Sequence, residues 1–187
     1  MSTPHESLDL GLDYINSHED FILPVIRRNE TLSFLKNPLN DLCISRPRSR
    51  LSWGVDIPFS KDHVTYVWFD ALINYISVCG YGDDPCRFKK FWPADVHMIG
   101  KDILRPHTVY WPIMLHAAGL EPPRTVFAHG WWKIGEAKMS KSKGNIVDPV
   151  EMVNRFGVDA YRFFSSKRSA VWHGWFFFRK RTYLQSK

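Results

Sequence analysis

The chain has little cysteine and none of it is paired by spacing. Cys43, Cys79 and Cys86 are the only three in 187 residues, and no two form a C-x2-C knuckle. Neither a disulfide framework nor a zinc knuckle is indicated, and a reduced, intracellular setting is expected. No apolar run reaches the roughly 18 residues of a membrane span, so no membrane association is expected. The first residues lack the basic and apolar stretches of a secretory leader, which leaves the cytoplasm as the expected compartment. Low-complexity runs and internal repeats are also absent. With 44% apolar residues, the composition excludes disorder, collagen and coiled coil. A chain of this length holds one domain, or one and a fragment, and buries enough apolar surface to fold without staples.

A further absence is local: no Asp or Glu follows Asp159. The formal charge of +6 suggests a nucleic-acid binder only until it is located. Seven basic residues (Arg162, Lys167, Arg168, Arg179, Lys180, Arg181 and Lys187) lie beyond Asp159. Residues 1–159 therefore hold 18 basic against all 19 acidic groups, a net charge of −1. The body of the chain gives no electrostatic reason for a nucleic-acid partner.

What is present reads as alternating strands and helices. Residues 1–45 look helical and polar, with Asn37-Pro38 and Arg46-Pro47 as breakers. Residues 53–57 and 64–69 are short β-rich runs with a turn at 58–62, and 70–78 reads as a helix with Leu72, Ile73, Tyr75 and Ile76 on its apolar side. A loop follows over 80–85, then a buried strand over 95–100. Residues 102–118 read as a long helix closed by Gly119, and Pro106 and Pro112 inside it imply a kink or a late start. Strands are expected at 125–128 and 131–134, and a helix opens at Asp148-Pro149 and ends at Gly157. The alternation predicts an α/β fold with a parallel sheet, in which ligands sit beyond the carboxyl ends of the strands. That rule singles out Gly100-Lys101-Asp102 and His129-Gly130.

The most informative string is Lys138-Met139-Ser140-Lys141-Ser142, followed by Lys143-Gly144-Asn145. Ammonium groups, hydroxyls and backbone amides on a short loop before a helix can wrap a polyphosphate and neutralise charge on a departing pyrophosphate. Any lysine-rich loop can instead be a solvated surface. This five-residue string, however, arises by chance in a chain of this length with odds on the order of 1 in 10,000.

The string resembles the KMSKS signature of class I aminoacyl-tRNA synthetases. The surrounding strings narrow the resemblance to the methionyl-tRNA synthetases, or methionine–tRNA ligases. They are Asp41-Leu-Cys-Ile-Ser-Arg46-Pro, Tyr66-Val-Trp68-Phe-Asp-Ala71-Leu, Ile99-Gly-Lys-Asp102-Ile-Leu, His107-Thr-Val-Tyr-Trp111-Pro and Phe127-Ala-His129-Gly-Trp-Trp132. The similarity runs from about residue 14 to residue 164.

The resemblance implies the second half of a Rossmann-like nucleotide-binding fold, followed by the start of a helical region. Its expected parts are a helical lead-in (1–45), a catalytic half with the KMSKS loop (46–147), helices after that loop (148–164) and an atypical basic aromatic tail (165–187). It implies that Trp68, Ala71, Leu72, Tyr75, Ile103 and His107 line a methionine pocket, where a thioether meets aromatic and aliphatic walls. It implies that Gly100, Asp102, His129, Gly130, Lys138, Ser140, Lys141 and Ser142 bind ATP, with Lys138 and Lys141 catalytic. Arg46 matches an arginine that faces the active site. A buried strand aromatic at Trp68, a helix N-cap at Asp102, a satisfied loop histidine at His129 and a surface ion pair at Arg46 are the plain alternatives.

The implied reaction joins methionine to ATP, giving methionyl-adenylate and pyrophosphate, and then passes the acyl group to the 3′-terminal ribose of tRNA(Met). Mg²⁺ accompanies the phosphates. No metal site and no zinc are expected in this chain. The sequence departs from the family in three places. No His-x-Gly-His is present, so the half of the ATP site that this motif builds is expected to lie upstream, and the isolated chain is expected to be inactive. Pro106 stands where many members carry an aromatic residue, which suggests a subgroup. Residues 165–187 hold six aromatic and six basic residues but no acidic one, where the family continues with an acidic stretch. A change of reading frame after about Phe164 is the expected cause; a genuine tail that stacks on RNA is the alternative. The competing functional readings are a class I synthetase for another amino acid and a non-catalytic nucleotide- or RNA-binding fragment.

Overall fold

The structure is a computed structural model that describes residues 4–37, 43–131, 133–134, 137–139 and 147–168. Helix α1 (Pro4–Ser17), strand β1 (Ile22–Leu23) and helix α2 (Val25–Leu35) open the chain. Strands β2 (Ser45–Pro47), β3 (Asp56–Ile57) and β4 (Ser60–Thr65) precede helices α3 (Val67–Val78) and α4 (Pro85–Phe91) and strand β5 (Val96–Gly100). An irregular helix then ends in α5 (Trp111–Ala117), followed by strand β6 (Thr125–His129), the short strands β7 (Lys133–Ile134) and β8 (Ala137–Lys138), and helices α6 (Pro149–Phe156) and α7 (Val158–Arg168). β1, β6 and β5 form the expected parallel sheet in that order. β2, β4 and β3 form an antiparallel sheet, and β7 pairs with β8.

The chain divides into two compact units, Met1–His97 with Ile103–Val126 and Met98–Asp102 with Phe127–Lys187. In the first, Leu72, Ile76, Trp92, Trp111 and Leu115 make a buried cluster against which Trp68, Tyr75, Phe88 and Leu120 pack. A second buried group, Ile15, Phe21, Ile22, Leu35 and Val126, ties α1, β1 and α2 to β6, and the Val126 amide donates to the Phe21 carbonyl over 2.7 Å. Within the second unit Ile99 and Ala128 are buried. There the Asp148 carboxylate caps α6 through the Val150 amide at 2.8 Å, and Gly157, with φ of 83°, ends it.

Several local readings are corrected: β4 starts at Ser60, inside the turn expected at 58–62, and of residues 53–57 only Asp56–Ile57 is strand. Residues 64–69 are not one strand: β4 stops at Thr65, and Trp68 lies in the first turn of α3. The amides of Phe69 and Asp70 both turn back to the Tyr66 carbonyl. Valine and aromatic residues favour strands only weakly, and here the i, i+4 burial of Leu72 and Ile76 decides for a helix. Residues 80–85 do not form one loop, because α4 starts at Pro85 with Asp84 capping the Arg87 amide at 3.0 Å. Residues 102–118 are not a uniform α-helix. A 3₁₀ turn (Lys101–Ile103) leads into a π-helical turn (Pro106–Tyr110) and then α5.

Pro112 lies just beyond the π turn, with no N–H to offer Thr108 and a ring that crowds that carbonyl. Ahead of it, the Trp111 amide bonds the Pro106 carbonyl five residues back. The widened turn buries His107, Thr108 and Val109 together. Gly119, with φ of 71°, closes α5: its amide reaches the His116 carbonyl at 3.0 Å and the Leu120 amide the Leu115 carbonyl at 2.8 Å.

Candidate functional site

In the first unit, α3 brings Trp68, Ala71, Leu72 and Tyr75 onto one face, because positions i, i+3, i+4 and i+7 share a helical side. Leu72 is buried in the core, Trp68 and Tyr75 are half-buried, and Ala71 is exposed. The π turn sets His107 opposite this face: its ring lies 6.2 Å from Trp68 and 5.6 Å from Tyr75, edge-on to both. Ile103, one helical turn earlier, enters the arrangement through its backbone carbonyl. His107 Nδ1 lies 2.9 Å from that carbonyl, which can only accept, so Nδ1 carries the proton. Nε2 of the neutral ring is then an acceptor, and the Tyr75 hydroxyl donates to it over 2.9 Å. All six expected pocket residues thus belong to one compact unit.

Two rings not expected from the sequence complete this cage. His97, on the buried face of β5, stacks on Tyr75 with ring centroids 4.1 Å apart. Trp111 donates its indole N–H to His97 Nε2 over 3.2 Å. A neighbouring indole, that of Trp92, donates to the Glu121 carbonyl at 3.0 Å. The side-chain donors of Tyr75, His107, Trp92 and Trp111 are all committed within the fold. Such a lining offers a ligand mainly rings and aliphatic carbon, which suits a weakly polar side chain. The signal for His97 was the alternation of β5, which puts His97 and Ile99 on the buried side.

Burial sets the protonation of this cage. It pushes His97 down to about 4, with the neighbouring His107 acting in the same sense and a hydrogen bond to the Val96 backbone opposing. Burial also lowers His107, against the pull of the Ile103 carbonyl, and raises the Tyr75 phenol. Both histidines are neutral at neutral pH.

The second unit holds the other expected group. Gly100 ends β5 and His129 ends β6; a Cβ built on Gly100 would stand 3.9 Å from His129 Cε1, so the two strand ends lie side by side. His129 Nδ1 donates to the Gly130 carbonyl at 2.7 Å, which leaves Nε2 as an acceptor in the neutral ring. Asp102 sits inside the 3₁₀ turn rather than ahead of a helix, and its exposed carboxylate accepts from the Trp131 indole at 2.5 Å. The Lys101 ammonium lies over the same indole, 3.9 Å from its centre. Gly100, Asp102, His129 and Gly130 therefore share one end of the β5–β6 pair, where the strand-end rule places ligands.

Lys138 is placed by its backbone in β8. Ser140, Lys141 and Ser142, and the tail from residue 169, lie outside the described residues. Arg46, on β2, stacks its guanidinium 3.8 Å over Tyr66 and donates to the Ser45 carbonyl at 3.0 Å. Among the described residues its recorded partners are a ring, a carbonyl and the Cys43 sulfur, not a carboxylate.

Comparisons with known proteins accord with this geometry. The family model for "tRNA synthetases class I (M)" matches residues 8–180. A methionine–tRNA ligase of Clostridium perfringens is 57% identical over 158 residues, covering 83% of this chain and 24% of the relative. One from Rickettsia conorii is 50% identical over 156 residues, covering 83% of this chain and 30% of the relative. Among solved structures, Mycobacterium tuberculosis methionyl-tRNA synthetase bound by methionyl-adenylate superposes with a TM-score of 0.78 at 50% identity, over 86% of this chain and 31% of that one. The apo form of the same enzyme gives 0.74 at 46% identity, over 86% and 30%. The chain spans about a quarter to a third of the length of these relatives. With the family model matching most of its residues, the chain belongs to the class I tRNA synthetases of the methionyl type.

Proposed function

We propose that this chain supplies the carboxyl-side half of the catalytic fold of a methionine–tRNA ligase. The observation that carries the reading is the ring cluster around Tyr75 and His107, where residues that match the family converge and the side-chain donors of Tyr75, His107 and Trp111 are already used. The methionine side chain lies among Trp68, Ala71, Leu72, Tyr75, Ile103 and His107. Gly100, Asp102, His129 and Gly130 receive the adenosine: Asp102 accepts from ribose hydroxyls, and the open strand end at Gly100 admits the nucleotide's approach.

The methionine carboxylate attacks the α-phosphorus of ATP, the bond to the β-phosphate oxygen breaks, and pyrophosphate leaves. The adenylate's acyl group then passes to a hydroxyl of the 3′-terminal ribose of tRNA(Met), releasing AMP. The chemistry demands positioning and charge stabilisation more than a general base. Lys138 and Lys141, with the Ser140 and Ser142 hydroxyls, neutralise and hold the departing pyrophosphate. Mg²⁺ belongs on this reading to the ATP phosphates. The remainder of the ATP site comes from the part of the relatives' length that this chain does not span.

The test is methionine-dependent exchange of labelled pyrophosphate into ATP, run on the full-length protein and on this chain alone. Exchange by the full-length protein that requires methionine and is silent with isoleucine, valine or leucine is the expected result, with none by the isolated chain. Exchange driven better by another amino acid overturns the methionine assignment. Nucleotide or RNA binding by the full-length protein without exchange makes this a binding module instead.

A further inference from the structure

His97 is 4% exposed and lies on the inward face of β5, among rings from three other segments: Tyr75 of α3, Trp92 after α4, and His107 and Trp111 of the irregular helix. The titratable groups that face it are Tyr75 and His107, whose rings lie 4.1 and 6.4 Å away. Its two contacts act on different members of the cage. The stack on Tyr75, at 23° between planes, fixes the phenol's plane. The bond from Trp111 commits the indole N–H and fixes that ring's rotation.

We propose that His97 is a positioning residue of the methionine pocket: its ring holds Tyr75 where the hydroxyl meets His107 Nε2, and its free nitrogen holds Trp111. The inference rests on the reading of this cage as the methionine pocket. His107 is pinned from the other side by Ile103, so the Tyr75–His107 bond survives only while the phenol plane is held. Only a neutral imidazole protonated at Nδ1 does both jobs. Protonation of Nε2 removes the acceptor from a buried indole N–H and puts a cation beside His107.

The experiment is steady-state methionine-dependent pyrophosphate exchange by the full-length protein carrying His97→Gln or His97→Phe, with Trp68→Ala as the control on the pocket itself. Gln keeps an acceptor for Trp111 and gives up the ring; Phe keeps the ring and gives up the acceptor. Each variant is expected to raise the KM for methionine about tenfold, the size of one lost ring contact or buried hydrogen bond. The KM for ATP and kcat are expected to stay within about twofold, since His97 is buried among rings and outside the group assigned to the nucleotide. If Trp68→Ala raises the methionine KM and neither His97 variant does, the positioning role is overturned and the pocket stands. If Trp68→Ala also leaves it unchanged, the pocket reading falls and this proposal with it. A fall in kcat and a rise in both KM values, together with a lower melting temperature, marks His97 as a packing residue and overturns the proposal. Should the variants not fold, wild-type protein labelled with ¹⁵N in its imidazoles carries the test. Added methionine shifts the His97 ring nitrogens together with those of His107 if His97 supports the pocket; unmoved His97 signals overturn it.

Discussion

The cage of the first unit and the strand-end group of the second are made in opposite ways. Around Tyr75 and His107 most side chains are buried or half-buried, and the polar hydrogens of Tyr75, His107 and Trp111 are spent on partners inside the fold. Around Gly100 and His129 the key carboxylate of Asp102 is exposed and is held by an indole whose face also carries Lys101. On the proposed reading, a group that selects a nearly apolar side chain gains from having few free donors, because an unpaired polar group there costs free energy that a thioether cannot return. On the same reading, a group that takes up a polar, charged nucleotide needs acceptors and donors left facing water, where desolvation is small until the ligand arrives. On that reading the first region is sensitive to mutation through stability and methionine affinity, the second through nucleotide affinity and rate.

Mutations can break that contrast. Trp111→Ala empties the middle of the aromatic cluster, strands the His97 acceptor and is expected to cost about 3–5 kcal/mol of folding free energy, read by denaturant unfolding. A loss below about 1 kcal/mol would mean that the cage is not the region sensitive through stability. In the full-length protein, Lys141→Ala is expected to lower the rate of pyrophosphate exchange about 100-fold or more with little change in melting temperature or in the KM for methionine. An unchanged rate removes Lys141 from the proposed catalytic role.

Acid sharpens the contrast. His97, held down to about 4, and His107, also lowered, are neutral in the fold and titrate near 6.5 when unfolded. Below pH 6.5 the unfolded chain therefore binds more protons than the folded one. The cage's stability is fully present above that pH and is lost progressively as pH falls toward 4. The loss from His97 approaches about 3 kcal/mol at the acid end. Unfolding followed between pH 7.5 and 4.5 checks this, and His97→Phe is expected to flatten the profile. Smaller effects separate the two regions further. Tyr75→Phe removes one hydrogen bond worth about 1 kcal/mol, expected as a several-fold higher KM for methionine with the KM for ATP unchanged. Trp131→Phe keeps a ring for Lys101 but removes the donor to Asp102, and an increase of about two- to threefold in the KM for ATP alone is expected.

Much of the fold was legible because its signals are local. Asp148-Pro149 capped a helix, Gly119 closed one, and the alternation of strands with helices announced a parallel sheet, all as found. The readings that failed are those in which two local signals competed. Val67, Trp68 and Phe69 favour a strand by residue type, yet helical burial of Leu72 and Ile76 draws them into α3. Asp84-Pro85 carries the same cap signature as Asp148-Pro149 but was masked by neighbouring glycines. Pro106 and Pro112 signalled an irregular helix without saying which kind.

From the amino-acid sequence came the family strings, the reading of Lys138–Ser142 as a polyphosphate loop and, through the resemblance those strings carry, the six positions expected to line a methionine pocket. Short strings are a local property, and the chain displays them directly. Only the tertiary structure revealed that His97 and Trp111, which lie 22 and 36 positions beyond Tyr75, join its ring cluster. It also assigned the protons, because whether an imidazole nitrogen donates or accepts depends on the carbonyl, hydroxyl or indole that folding sets beside it. Ring stacking and tautomer are relations between distant parts of a chain, and they exist only once α3, β5 and the π turn have packed together.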